Sequence, residues 1–221
     1  MNFQDFQQYI PQILDAPLPA FASHIKMAPK ERIESLKAFS YADKNPRKAA
    51  VLMLLYPKQE QTHLVLIERN SYEGVHSAQI AFPGGKFENE DVEYETTALR
   101  ESEEEIGISR EQIKVIRPFS PLYIPPSNFL VHPYLGIANE TLHFVLEPKE
   151  VASIIELPLS DFLSDALLHE TKLTTSYATD IAIPAFKINE HIVWGATAMM
   201  LSELKEVLHF VLKKSYMTIR D

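Results

Sequence analysis

Arg100-Glu101-Ser102-Glu103-Glu104-Glu105-Ile106-Gly107-Ile108 places four carboxylates within five residues, followed by a glycine and a β-branched residue. With about 3.6 residues per helical turn, Glu101, Glu104 and Glu105 fall at roughly 0°, 300° and 40° around the axis, and Glu103 lies well outside that arc. Leu99, Ser102 and Ile106 form a separate stripe able to pack on a core. The spacing therefore predicts a helix over 93–106, apolar on one side and acidic on another, ended by Gly107. Like charges at i, i+4 cost a helix only about 0.2 to 0.5 kcal/mol per pair. So small a cost leaves two readings, a solvated acidic face or a cation site.

Two neighbouring features favour the cation. Arg100 can reach Glu104 one turn on, or hold one carboxylate while the others turn to a ligand. Upstream, Phe82-Pro83-Gly84-Gly85-Lys86 is a rigid turn followed by paired glycines, where backbone approaches a ligand closely and a carbonyl is left exposed. Hard divalent cations take such oxygens, and Mg²⁺ in particular combines one or two carboxylates with waters and substrate phosphates.

The segment GGKFENEDVEYETTALRESEEEIGI resembles the Nudix box: Gly, five residues, Glu, seven residues, Arg-Glu, a small or aliphatic residue, any residue, Glu-Glu, any residue, Gly and an aliphatic residue. Its second half matches from Arg100 to Ile108, with Ser102 at the aliphatic position. In its first half Asp91 stands for Glu, one residue further from Arg100 than the pattern has it. That variation is similar to the coenzyme A pyrophosphatase branch of the family, as is LVLIERNSYEGVHSAQIAFPGG, in which Arg69 stands thirteen residues before Phe82. Gly74 and Ala78 depart from that branch, where Arg and Gly are found. SNFLVHPYLG, EVASIIELPL and WGATA extend the likeness, which covers residues 46–200.

The resemblance implies a Nudix fold, an α+β arrangement in which a mixed β-sheet is sandwiched between α-helices, and a metal-dependent pyrophosphohydrolase. Coenzyme A or its thioesters would be cleaved at the diphosphate to adenosine 3′,5′-bisphosphate and a phosphopantetheine, with Mg²⁺ or Mn²⁺ as cofactor. The alternatives are cleavage of another nucleoside diphosphate derivative such as NADH or ADP-ribose, and a non-catalytic nucleotide-binding regulator. The intact Arg-Glu and Glu-Glu set argues against the regulator. By the same resemblance Glu101, Glu105, Glu104 and the Gly85 carbonyl are the metal ligands, and Glu104, Arg100 and Glu101 the catalytic group, with Glu104 sharing a metal or acting as base. Arg69, Gly84, Lys86 and Glu150 are assigned to substrate. Arg69 either meets phosphate or pairs with a box carboxylate, and Glu150 is either a site carboxylate or an exposed loop residue. His76, Ser127 and Asn128 are read as structural first, and Trp194 as a core anchor.

Composition narrows the rest. At 221 residues and 46% hydrophobic, the chain suits one sizeable core. A helical extension, residues 1–45, is expected to pack on the domain formed by 46–221. With no cysteine there is no disulfide, thiolate nucleophile or thiolate zinc site. MNFQDFQQYIPQILDAP lacks the basic head and apolar run of a signal peptide, which points to a cytoplasmic protein. A net charge of −9 repels nucleic acid and anionic membranes, and a free phosphorylated metabolite as well, so the small-molecule nucleotide that the resemblance implies as partner would be drawn by a divalent ion and local Lys or Arg. Apolar stripes on the first and last helices leave a homodimer open.

Hydropathy places strands at 49–56, 63–68, 113–118, 129–137, 141–146 and 151–156, a loop at 123–128, and a hairpin from 171–177 and 181–187. One short helix is expected over the first fifteen residues, interrupted or bent at Pro11, and another begins at 158–164. A long amphipathic helix is expected over 195–214.

Overall fold

The computed structural model describes residues 1–30, 33–37, 40, 42–70, 79–173 and 181–218. Gly74, His76 and Ala78 lie outside them, as does the tip of the 171–187 hairpin. The helices are α1 (Phe3–Gln7), α2 (Ile10–Asp15), α3 (Phe21–His24), α4 (Ile33–Lys37), α5 (Tyr94–Ile106), α6 (Leu159–Leu163) and α7 (Gly195–Thr218). The strands are β1 (Arg47–Lys58), β2 (Gln61–Arg69), β3 (Ile80–Ala81), β4 (Gly84–Lys86), β5 (Ile113–Pro118), β6 (Leu122–Ile124), β7 (Phe129–Ala138), β8 (Val151–Pro158), β9 (Leu168–Leu173), β10 (Ile181–Ile188) and β11 (His191–Val193).

The continuous apolar run of β1 marks a strand buried on both faces, and it sits at the centre of a mixed sheet. On one edge β1 runs parallel to β7, from Arg47 opposite Phe129 to Leu55 opposite Ile137. On the other edge its partner changes. Ala49, Ala50 and Val51 pair with β4, the Leu52 N–H donates to the Pro83 carbonyl at 2.8 Å, and from Leu55 onward the partner is β2. The glycine turn is thus wedged against the middle of the central strand. β8 extends the sheet beyond β2, β5 and β6 pair with β7, and β9, β10 and β11 form a separate antiparallel sheet.

Side-chain alternation along β1 and β2 sorts the interior into two layers. Leu52, Leu54, Val65 and Ile67 face α5, where Ala98 and Ile106 meet them. Met53, Leu55, Leu64 and Leu66 face the opposite way, toward Phe6, Ile13, Phe162 and the Leu201, Leu204 and Leu208 side of α7. Each such side chain contributes about 1.5 to 3 kcal/mol by leaving water. Pro11 falls in the first turn of α2, where its missing N–H costs nothing, so the bend comes at residues 8 and 9, before it. Arg117 fastens this extension to β5 by donating to the carbonyls of Ile13, Leu14 and Ala16 at 2.7 to 2.9 Å.

Three expectations are corrected. Segment 141–146 is not a strand: it runs beside the end of α5, with the Val145 N–H donating to the Ile106 carbonyl and the Glu147 N–H to that of Glu105, both at 3.0 Å. Alternating apolar residues gave it the period of a strand, but its backbone partners belong to a helix terminus. The expected 123–128 loop begins as β6, and only Pro125–Ser127 forms a turn, closed by Asn128 in the left-handed region. Finally, α7 is not amphipathic through its middle. From Ala198 to Leu208 nearly every residue is buried, Ser202, Glu203 and Lys205 included, because the sheet, the N-terminal helices and α6 enclose it.

Candidate active site

Helix α5 begins after an extended Glu93 and ends at Gly107, whose φ of 70° suits glycine and whose N–H donates to the Glu103 carbonyl at 3.0 Å. Its buried stripe runs along Ala98, Ser102 and Ile106; Ser102 tolerates the core because its hydroxyl donates to the Ala98 carbonyl at 2.6 Å. The acidic arc is graded rather than uniformly inward. The Glu105 side chain is 1% exposed, Glu101 14% and Glu104 59%. Glu103, outside the arc, makes a surface pair with Arg110.

That gradient sets the acidic run apart from a wholly solvated face. A solvated face keeps its carboxylates in water, whereas burying one ionised group costs several kcal/mol even after relaxation. Glu105 is buried nonetheless, between the Gly84 N–H at 2.8 Å and Arg69 Nη1 at 3.1 Å. Burial pushes its carboxyl up to about 7, the Gly84 N–H and Arg69 pull it down, and Glu101 and Glu150 push it up. Burial likewise raises Glu101 against the pull of Arg100, with Glu104 and Glu150 adding repulsion.

Arg100 organises the outer side of the cluster. It donates to both oxygens of Asp91 at 3.0 Å and to the Lys86 carbonyl at 3.1 Å, and pairs with Glu101 and Glu104 at 3.0 Å. Asp91 is itself buried, accepting also from the Thr97 hydroxyl at 2.9 Å and the Glu88 N–H at 3.0 Å. Hydrogen bonding to Arg100 holds its carboxyl down at about 2. Residue spacing gave Asp91 no role; the available signal was an acid in the loop just before a helix carrying Thr97 and Arg100.

The glycines are required by contact. A Cβ on Gly84, whose φ is 148°, would lie 2.4 Å from the Ala50 carbonyl oxygen. One on Gly85 would lie 2.2 Å from a Glu101 carboxylate oxygen. The turn thus presses its backbone against two box carboxylates, Glu105 at Gly84 and Glu101 at Gly85. Glu150 enters from the start of β8: its carbonyl accepts from the Asn70 N–H at 2.8 Å, and its carboxylate acts electrostatically on Glu101 and Glu105. Of Arg69's two readings, the pair with a box carboxylate is the one observed.

Among the described residues no three acidic or histidine side chains already converge as an ion cage. The donor set nevertheless fits a hard divalent cation: Glu101, Glu104 and Glu105 supply anionic oxygens, and Glu101 and Glu105 are raised by burial and, to a lesser degree, by neighbouring carboxylates, both of which a cation would offset. The backbone of Gly85 lies against one of those oxygens with no side chain to block approach.

A cavity of about 750 Å³ on the α7 side of the sheet reaches the glycine turn that touches this cluster. Arg69, Gly84, Gly85 and Lys86 line one part, and Phe21, Met27, Val51, Leu122, Ile124 and Met200 much of the rest. Trp194 lines it too, half-buried, and so is a wall residue rather than a core anchor. Ser127 also lines it, with a buried hydroxyl that has no partner among the described residues. His24 reaches the wall from the N-terminal segment, whose part in the site no local pattern signalled.

A NUDIX domain model matches residues 46–176. The chain is 33% identical over 162 residues to the uncharacterized Nudix hydrolase NudL of Photorhabdus laumondii, covering 73% of this chain and 85% of that protein. It is 34% identical over 160 residues to the NudL of an Enterobacter species, covering 72% and 82%. Among solved structures, the Nudix hydrolase RenU of M. smegmatis superposes with a TM-score of 0.53 at 18% identity, over 75% of this chain and 87% of that one, a likeness of fold. With the box helix, the glycine turn and the mixed sheet all in place, this chain belongs to the Nudix hydrolase family.

Proposed function

We propose that the chain hydrolyses the diphosphate linkage of coenzyme A or its thioesters with the help of Mg²⁺ or Mn²⁺. The observation that carries this reading is that a large, mainly apolar cavity reaches the glycine turn, whose backbone lies against Glu105 at Gly84 and against Glu101 at Gly85. A nucleoside triphosphate offers such a cavity only its base; a phosphopantetheine arm offers a longer, partly aliphatic chain, and its amides would find the Ser127 hydroxyl, which has no partner among the described residues.

Cleavage of a P–O–P bond spreads negative charge over phosphoryl and leaving oxygens, so the protein's task is positioning and neutralisation. Glu101 and Glu105, joined by Glu104 and the Gly85 carbonyl, would hold the ion. When bound, it neutralises the phosphates and lowers the pKa of a coordinated water. Arg100 fixes the orientation of Glu101 through its grip on Asp91 and the Lys86 carbonyl. The Gly84 N–H and Arg69 hold the Glu105 carboxyl in place and work against the burial that raises it. The Lys86 ammonium, exposed at the cavity edge, offers charge to the phosphates, and Glu150 stands beside Glu101 and Glu105 as a further acceptor for a proton.

Product analysis tests this reading. The protein is incubated with coenzyme A, NADH, ADP-ribose and nucleoside triphosphates, with and without Mg²⁺ or Mn²⁺. Metal-dependent release of adenosine 3′,5′-bisphosphate from coenzyme A is expected. Cleavage of ADP-ribose with coenzyme A untouched overturns the substrate, and no metal-dependent cleavage at all overturns the enzyme.

A further inference from the structure

The cavity wall opposite the sheet is made by the N-terminal segment 21–29, which lies outside the matched domain. One buried carboxylate holds this wall. Glu203, fully buried in the middle of α7, accepts from the Ala20 N–H at 2.9 Å, from the Ser120 N–H at 3.1 Å and hydroxyl at 2.6 Å, and faces His24 Nε2 at 3.4 Å. Ala20 adopts a φ of 50°, a conformation L residues rarely take, and its N–H is secured by that same carboxylate. The segment is therefore fixed in place, with Phe21, Ile25 and Met27 turned to the cavity.

The lining gives the chemistry of the occupant. Ile25, Met27, Val51, Ile124, Val131 and Met200 offer a broad aliphatic and thioether surface beside the polar groups of His24, Gln79, Ser127 and Thr197, while Arg69 and Lys86 stand with the glycine turn. A flexible aliphatic chain needs no hydrogen-bonding partner on that surface, and methionines adapt to its path.

Resting on the proposed activity, we infer that this chamber is a subsite for an acyl chain carried by the diphosphate substrate, and that segment 21–29 sets the chain length that fits. Trp194, the only tryptophan of the chain, lines the chamber and reports on its occupancy without turnover. With divalent ions chelated, the full-length protein is titrated with acetyl-, hexanoyl- and decanoyl-coenzyme A while Trp194 emission is followed. Hexanoyl-coenzyme A is expected to shift the emission and to bind at least about tenfold more tightly than acetyl-coenzyme A, since each buried methylene adds discrimination. Ile25→Phe, which narrows the chamber, should cut that ratio by about tenfold. Phe21→Ala, at the exposed end of the wall, should move the preference toward decanoyl-coenzyme A.

An emission signal indifferent to chain length, or ratios identical in the parent protein and both variants, overturns the subsite. A length-dependent signal in a protein that cleaves no thioester sustains the subsite and overturns the activity. Equal cleavage of every thioester with no length-dependent signal does the reverse.

Discussion

Arg100 touches Asp91, Glu101, Glu104 and the Lys86 carbonyl, so a single guanidinium links the loop before α5 to two box carboxylates and the glycine turn. Asp91 supplies the buried end of that link, and its carboxyl is held at about 2 by the hydrogen bond to Arg100. A carboxyl whose folded pKa is depressed contributes stability above its unfolded pKa and loses it as the pH falls through the folded value. The parent protein should therefore lose stability between about pH 4 and pH 2 through this group. Asp91→Asn should lower the neutral plateau by about 1 to 3 kcal/mol and flatten that acid limb, measured by urea unfolding across pH. An acid limb as steep as the parent's would detach Asp91 from the link.

At the scale of elements, β1 and α5 were legible and their meeting was not. The acidic run and Gly107 predicted a helix over 93–106, and α5 is Tyr94–Ile106; the apolar run at 49–56 became β1 with two added residues at each end. Both patterns are local, set by side-chain period and a glycine stop. Segment 141–146 carried an equally good strand period, yet its backbone is satisfied by the carbonyls of Ile106 and Glu105, a partner no local pattern reveals. The angular arc likewise gathered Glu101, Glu104 and Glu105, but their unequal burial depends on where the Gly84 and Gly85 backbone presses on the helix. Gly84 is the tightest point of that contact, since an added Cβ meets strand backbone rather than a flexible side-chain end. Gly84→Ala is expected to destabilise the fold by about 2 to 4 kcal/mol in denaturant unfolding. A loss below about 0.5 kcal/mol would mean that the turn is not wedged against β1.

For the molecule as a whole, α7 is the frame on which the cavity is assembled. Its first turn hangs on β3 through the Thr197 hydroxyl, which donates to the Ile80 carbonyl at 2.9 Å, and its middle carries Glu203 to the N-terminal segment and to Ser120. The WGATA stretch was visible in the sequence; the chamber was not, because its walls come from residues as far apart as Phe21, Val51, Ser127 and Trp194. Glu203→Ala leaves the Ala20 N–H and the Ser120 groups buried without their acceptor, and should cost about 3 to 5 kcal/mol. Glu103→Ala, which removes a surface pair, should cost less than about 1 kcal/mol in the same urea titration. Equal losses would show that the buried network does not hold the wall.

The central claim is that buried Glu105, set between Gly84 and Arg69, belongs to the machinery of diphosphate cleavage. The direct measurement is the Mg²⁺-dependent rate of adenosine 3′,5′-bisphosphate release from coenzyme A by the parent protein and by Glu105→Gln, with both folds checked by circular dichroism. Glu105→Gln keeps the shape but removes the charge, and turnover is expected to fall by about 10² to 10³ with the spectrum unchanged. A folded Glu105→Gln protein that turns over at the parent's rate would contradict the account.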